Sequence, residues 1–130
     1  MKHRQQPKES KLCGHTVVAM ATDESIKTIV KIIGHERATD IGELIHALEV
    51  FRIKTKGKRL VRWNKKLNVD WPEFAILMKT YNDETGKRYG HWVLVWNSIL
   101  HDPAYEKAEM TNSAYRITSY IELIPEKRTK

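Results

Sequence analysis

The hydrophobic period of this chain changes near its middle, and that change limits the folds open to it. Ile26, Ile29, Val30 and Ile33 stand at i, i+3, i+4 and i+7, as do Ile41, Leu44, Ile45 and Leu48 after them. Each set makes one face of an amphipathic helix. Thr22 or Asp23 is placed to cap the first, Gly34 to stop it, and Thr39 to cap the second. The earlier segment CGHTVVAMA has little polar face, which points to a short buried helix, although Val17 and Val18 also allow a strand. Beyond residue 50 the pattern is β. FRIKTKGKRLVRW reads as a hairpin turning near Gly57, Trp71-Pro72 as a break, and FAILM as a buried strand. NDETGKRYG reads as a turn cluster, HWVLVW and ILHDP as strands joined at Asn97-Ser98, and SYIELI as a last strand. Helices followed by strands predict an α+β domain. The expectation is one domain over 1–130, with a helical part over about 13–52 and a sheet part over about 53–125.

Composition narrows the classes further. The chain has 130 residues, 41% hydrophobic and 30% charged, enough to fill a core and stay folded. Cys13 is its one cysteine, which excludes an intramolecular disulfide and a zinc ribbon built on cysteine pairs. A lone thiol fits a reducing, cytoplasmic setting. MKHRQQPKES does not read as a signal peptide, and VVAMA, FAILM and WVLVW fall far short of the ~18 residues of a membrane span. The net charge of +7 suggests an acidic partner only weakly.

Cys13 falls at an expected helix N-terminus, where backbone N–H groups and the helix dipole favour a thiolate. Gly14 behind it lets another group approach closely. A buried structural cysteine is the competing reading. A nucleophilic thiol needs a base in reach. His3 lies in a basic terminus, His15 does not face Cys13 on a helix, and His35 and His46 read as surface or satisfied histidines.

His91 differs because of the strand pair that follows it. A two-residue turn at Asn97-Ser98 pairs Trp96 with Ile99, Val95 with Leu100, Leu94 with His101 and Val93 with Asp102. His91 and Asp102 then share a face as diagonal neighbours at ~7–8 Å, which an imidazole can bridge. A three-residue turn would put Asp102 on the other face. His101 points away from His91, and Asn97 lies too far along the strand. Pro103 holds Asp102 extended. Trp92 and Trp96, opposite His91, read as core.

Gln6, then LCGHTVVAM, then HWVLV, then HDPA resembles the papain-like cysteine peptidases. The likeness is to the small bacterial branch related to the peptidases that remove double-glycine leaders. It implies a papain-like fold with N-terminal helices packed on a C-terminal antiparallel sheet. It implies that Cys13 is the nucleophile, that His91 moves the proton and that Asp102 orients the ring. It further implies that Gln6 donates to the oxyanion together with the Cys13 backbone N–H, and Gln5 is a second candidate for that donor. The implied substrate is a peptide or protein, with no cofactor and no metal. The same thioester chemistry serves deamidases, transglutaminases and amidases. A metal site from Cys13, His15, His91 and His101 would mix opposite faces.

Residues 52–66 hold Arg52, Lys54, Lys56, Lys58, Arg59, Arg62, Lys65 and Lys66, with Trp63 and no acidic residue. Such a stretch can bind single-stranded nucleic acid, which makes a non-catalytic binding module the alternative function. The favoured reading is a solvated hairpin whose charges discourage edge pairing, or one that draws an acidic substrate to the cleft. The sequence leaves the oligomeric state open.

Overall fold

The computed structural model of the chain describes residues 1–63, 72–82, 84–106, 108 and 117–125. The first half folds into helices α1 (Cys13–Thr22), α2 (Ile26–Ile33) and α3 (Ile41–Val50). The second half supplies strands β1 (Lys54–Thr55), β2 (Val61–Arg62), β3 (Ala75–Asn82), β4 (Arg88–Trp96), β5 (Ile99–His101) and β6 (Ile117–Ile124). The protein is therefore α+β, with three N-terminal helices and a C-terminal antiparallel sheet ordered β1-β6-β3-β4-β5.

The helix periods are realised, but the caps differ from those expected. Thr22 turns its hydroxyl back onto the Val18 carbonyl at 2.7 Å, inside α1. Asp23 ends α1 in the left-handed region at φ 60°, where its N–H meets the last carbonyls of that helix. Ser25 is the residue that caps α2, accepting from the Thr28 N–H. Gly34 closes α2 at φ 90°, as its position predicts. Asp40, not Thr39, caps α3, and Glu43 returns the bond to the Asp40 N–H in a reciprocal capping box. A carboxylate paired with Glu three positions on satisfies two orphan donors, where Thr39 would satisfy one.

The sheet is buried on both faces, which explains why FAILM and WVLVW lack clean alternation. On one face Ile76, Trp92, Leu94 and Ile121 pack against Val17, Val18, Met20, Ile29, Leu44 and Leu48 of the helices. On the other, Ala75, Leu77, Val93, Val95, Leu100 and Ile117 form a second cluster, edged by Trp63 and Tyr120. Leu44 and Leu48 have no exposed surface. Each contributes about 1.5–3 kcal/mol by that burial, which is what docks α3 onto the sheet.

The expected hairpin over 51–63 does not form. β1 and β2 both pair with β6, Lys54 opposite Ile124 and Val61 opposite Tyr120. Gly57 turns the chain at φ 85°, but as an excursion within one broken edge. A hairpin of such polar residues buries little alone. Pairing with β6 satisfies its backbone while Ile53 and Leu60 reach the core. Trp63 packs edge-on against Tyr120, with ring centroids 5.6 Å apart, and is not presented as a free stacking platform. Lys65, Lys66 and Trp71 lie outside the described residues, as does part of the NDETGKRYG turn. No helix among the described residues is long and apolar enough to cross a membrane.

Candidate active site

Three elements converge on one point. α1 begins at Cys13. Gly14 follows it at a spot where a Cβ would stand 2.1 Å from Thr39 Oγ1, 3.0 Å from Leu44 Cδ2 and 3.1 Å from Trp92 Cδ1. Glycine is required there so that the start of α1 can press against both α3 and β4. The close approach that Gly14 allows is thus taken up by protein side chains. The Trp92 indole N–H, donating to the Thr39 carbonyl at 3.2 Å, ties the same junction.

The strand pair has the register that a two-residue turn demands. Asn97 and Ser98 both have positive φ, 52° and 66°, as a type I′ turn requires. The ladder pairs Trp96 with Ile99, Val95 with Leu100 and Leu94 with His101. Asp102 comes one residue past the ladder, on the His91 face. His91 Nε2 lies 2.6 Å from Asp102 Oδ1. Asp102 is fully buried, and its Oδ1 also accepts from the Ala104 N–H at 2.9 Å. That second bond fixes the carboxylate across a turn that spans Pro103.

Cys13 completes the line. The His91 ring lies close enough to the thiol to act on its charge, as do backbone groups of Trp92 and Gly14. With Nε2 engaged by Asp102, Nδ1 is the ring nitrogen left for sulfur. Burial pushes the Cys13 thiol up, but the His91 bond, the Trp92 backbone and the ring's charge outweigh it and hold the thiol below its ordinary value. Burial pushes His91 down, but Asp102 and Cys13 together raise it to about 9. Burial also works against the charge of Asp102, and the bonds from His91, Ala104 and Lys79 hold its carboxyl below the usual range. Cysteine lowered and histidine raised are the directions that favour a thiolate–imidazolium pair at neutral pH.

Gln5 and Gln6 both reach the cavity of about 500 Å³ that opens beside His91, walled also by Lys79, Ala104 and Tyr105. Gln5 is exposed and turns its amide to the Ala104 carbonyl at 3.4 Å. Gln6 is half-buried, its backbone N–H held by the Pro103 carbonyl at 2.8 Å. Its Nε2 donates to the Ser10 carbonyl at 3.1 Å, and its Oε1 is buried without a partner. One amide N–H of Gln6 is therefore used within the loop and the second is left over.

The other histidines lie apart. His15 is fully buried, with Nε2 on the His35 carbonyl at 2.7 Å. His35 pairs with Glu43, and His46 is exposed on α3. His3 is not a loose terminal residue: its Nδ1 meets His101 Nδ1 at 3.0 Å and its Nε2 meets the Tyr105 carbonyl at 2.7 Å. His101 is engaged with His3 instead of His91. Among the described residues no group of three or more His, Cys, Asp or Glu side chains is placed to hold a metal ion.

Sequence reasoning missed one residue at this site. Lys79 Nζ lies 3.0 Å from Asp102 Oδ2. The signal was present, since Lys79 extends the FAILM strand, but its register against HWVLVW depends on the β3–β4 connection, which the sequence alone does not fix. Compared with known proteins, the chain matches no family model, no curated protein and no solved structure.

Proposed function

We propose that this chain is a papain-like cysteine hydrolase, a peptidase built as one domain over residues 1–130, with Cys13, His91 and Asp102 as its catalytic set. The observation that carries the reading is His91, which lines a cavity, bonded to the buried Asp102 and acting on the charge of the Cys13 thiol beside it. The helix-then-sheet order and the start of α1 at Cys13 support it.

The chemistry follows from the charges. Thiolate sulfur attacks the carbonyl carbon, and the oxygen takes up negative charge. The Cys13 N–H at the helix start and the spare N–H of Gln6 serve that oxygen. His91 gives its proton to the departing amine as the C–N bond breaks, leaving a thioester on Cys13. The same ring then takes a proton from water, which attacks the thioester, releases the acid and returns the thiol. Asp102 stays ionised and holds the ring on Nε2 throughout. If an amine takes the place of water, the same thioester gives transamidation. A reducing, cytoplasmic compartment suits a reactive lone thiol.

The test is the alkylation rate of Cys13 by iodoacetamide against pH, in the parent and in His91→Ala, beside hydrolysis of a peptide library by the parent and Cys13→Ser. The reading requires fast alkylation well below pH ~8 that collapses in His91→Ala. An ordinary thiol titrating near ~8.5 in both proteins ends it.

A further inference from the structure

Asp102 is shared between two cations. β3 and β4 place Lys79 directly opposite His91, so the two side chains leave the sheet on one face. His91 takes Oδ1 of the carboxylate at 2.6 Å and Lys79 takes Oδ2 at 3.0 Å. Both side chains are nearly closed to solvent, at 12% and 13% exposed, and Asp102 is fully closed. The Tyr105 ring centroid lies 5.8 Å from the ammonium. This is a fixed arrangement of three charges, not a surface ion pair.

We infer that Lys79 is a positioning residue for the thiol–imidazole pair: it holds the second oxygen of Asp102 and divides the carboxylate's charge, so that His91 is oriented without being locked in its protonated form. The inference rests on the catalytic reading above and adds a residue to it. An aspartate with one cationic partner would hold the imidazolium proton harder, and an imidazolium held too hard is a poor acid toward the leaving amine. Lys79 weakens that hold and, as a nearby positive charge, also favours the thiolate. The charged groups facing His91 are Cys13 from α1, Lys79 from β3, Asp102 after β5, and Lys8 and Glu9 across the cavity. Among them Lys79 is the cation bonded to the same carboxylate.

Removing the Lys79 charge therefore moves both titrations the same way. The ring gives up its proton at higher pH, and so does the thiol. A residue that only fills space would move neither.

The experiment titrates the His91 ring by NMR and the Cys13 alkylation rate against pH, in the full-length parent and in Lys79→Met, Lys79→Gln and Lys79→Arg. Lys79→Gln keeps an N–H donor without the charge, so it carries the test if Lys79→Met does not fold. The expected result is an upward shift of about half a unit or more in both titrations for Met and Gln, with Arg restoring the parent values. An unmoved His91 titration in Lys79→Gln overturns the inference, as does an equal shift in Lys79→Arg. The ring titration needs no activity. A parent thiol that alkylates as an ordinary cysteine would sink the catalytic reading, while the ring titration still decides the part played by Lys79.

Discussion

Replacing Asp102 by Asn tests the electrostatic core of the site while keeping its shape. The His91 ring is raised from its ordinary 6.5 to about 9, although burial alone would lower it. That rise of roughly 2.5 units amounts to about 3 kcal/mol of preference for the charged ring, at ~1.4 kcal/mol per unit. The bond to Asp102 is the largest of the forces that raise it, followed by the bond to Cys13. An amide at 102 keeps an acceptor near Nε2 but removes the charge, while burial still penalises the imidazolium. A carboxylate neighbour shifts a partner by about 1–3 units, so the ring in Asp102→Asn should fall by that amount. The thiolate then loses its counter-charge, and alkylation at pH 7 should slow about tenfold or more, at one decade per unit. The assay is an NMR titration of His91 beside the iodoacetamide pH profile, with near-UV circular dichroism to establish that the fold is kept. A ring still near 9 in a folded Asp102→Asn would refute the claim that the carboxylate sets its charge.

Further outcomes follow from single contacts. Gly14→Ala drives a Cβ onto Thr39 Oγ1 and should cost about 1–3 kcal/mol in denaturant unfolding while slowing Cys13 alkylation; unchanged values in both would show that the contact yields freely. Ser98→Gly relieves a non-glycine residue at φ 66° and should stabilise the turn by about 0.5–1 kcal/mol, read as a raised urea midpoint at constant m. His101 is pushed down to about 4, first by burial and then by the charges of His3 and the amino terminus. The unfolded chain therefore binds a proton near 6.5 that the folded chain refuses until about 4, so this group withdraws stability as pH falls through that window. His101→Gln should flatten that part of the stability–pH curve, and an unaltered slope would count against the buried pair with His3. Asp40→Ala should cost about 1 kcal/mol through its capping bond and leave alkylation by iodoacetamide unchanged.

The parts of the fold that local periodicity governs were legible before the structure. The faces of α2 and α3 and the β4–β5 register follow from spacing or from a two-residue turn, while the helix start at Cys13 rests on context, since Val17 and Val18 also allow a strand. So does the placing of Asp102 on the His91 face, since parity along a strand needs no tertiary knowledge. What failed was non-local or competitive. The 51–63 segment looks like a hairpin by itself, and only the open edge of β6 makes two separate pairings better. Thr22, Asp23 and Thr39 are all good capping types, and the choice of Ser25 and Asp40 depended on which bonds the neighbouring turn could return. Lys79 and His3 were missed because each meets its partner across strands or from the far end of the chain.

The turn at Asn97-Ser98 also bears on the order in which the site assembles. His91 and Asp102 are held by one short hairpin, and such hairpins close in about 1–10 μs. Cys13 belongs to the opposite half of the chain and reaches them only when α1 docks on β4, a contact of high sequence separation and slow closure. His91 and Asp102 can thus be brought together locally, whereas Cys13 joins them only through a contact between the two halves of the chain. If Cys13 is activated as proposed, its fast alkylation would report that α1 has docked on β4 and not merely that the hairpin has closed.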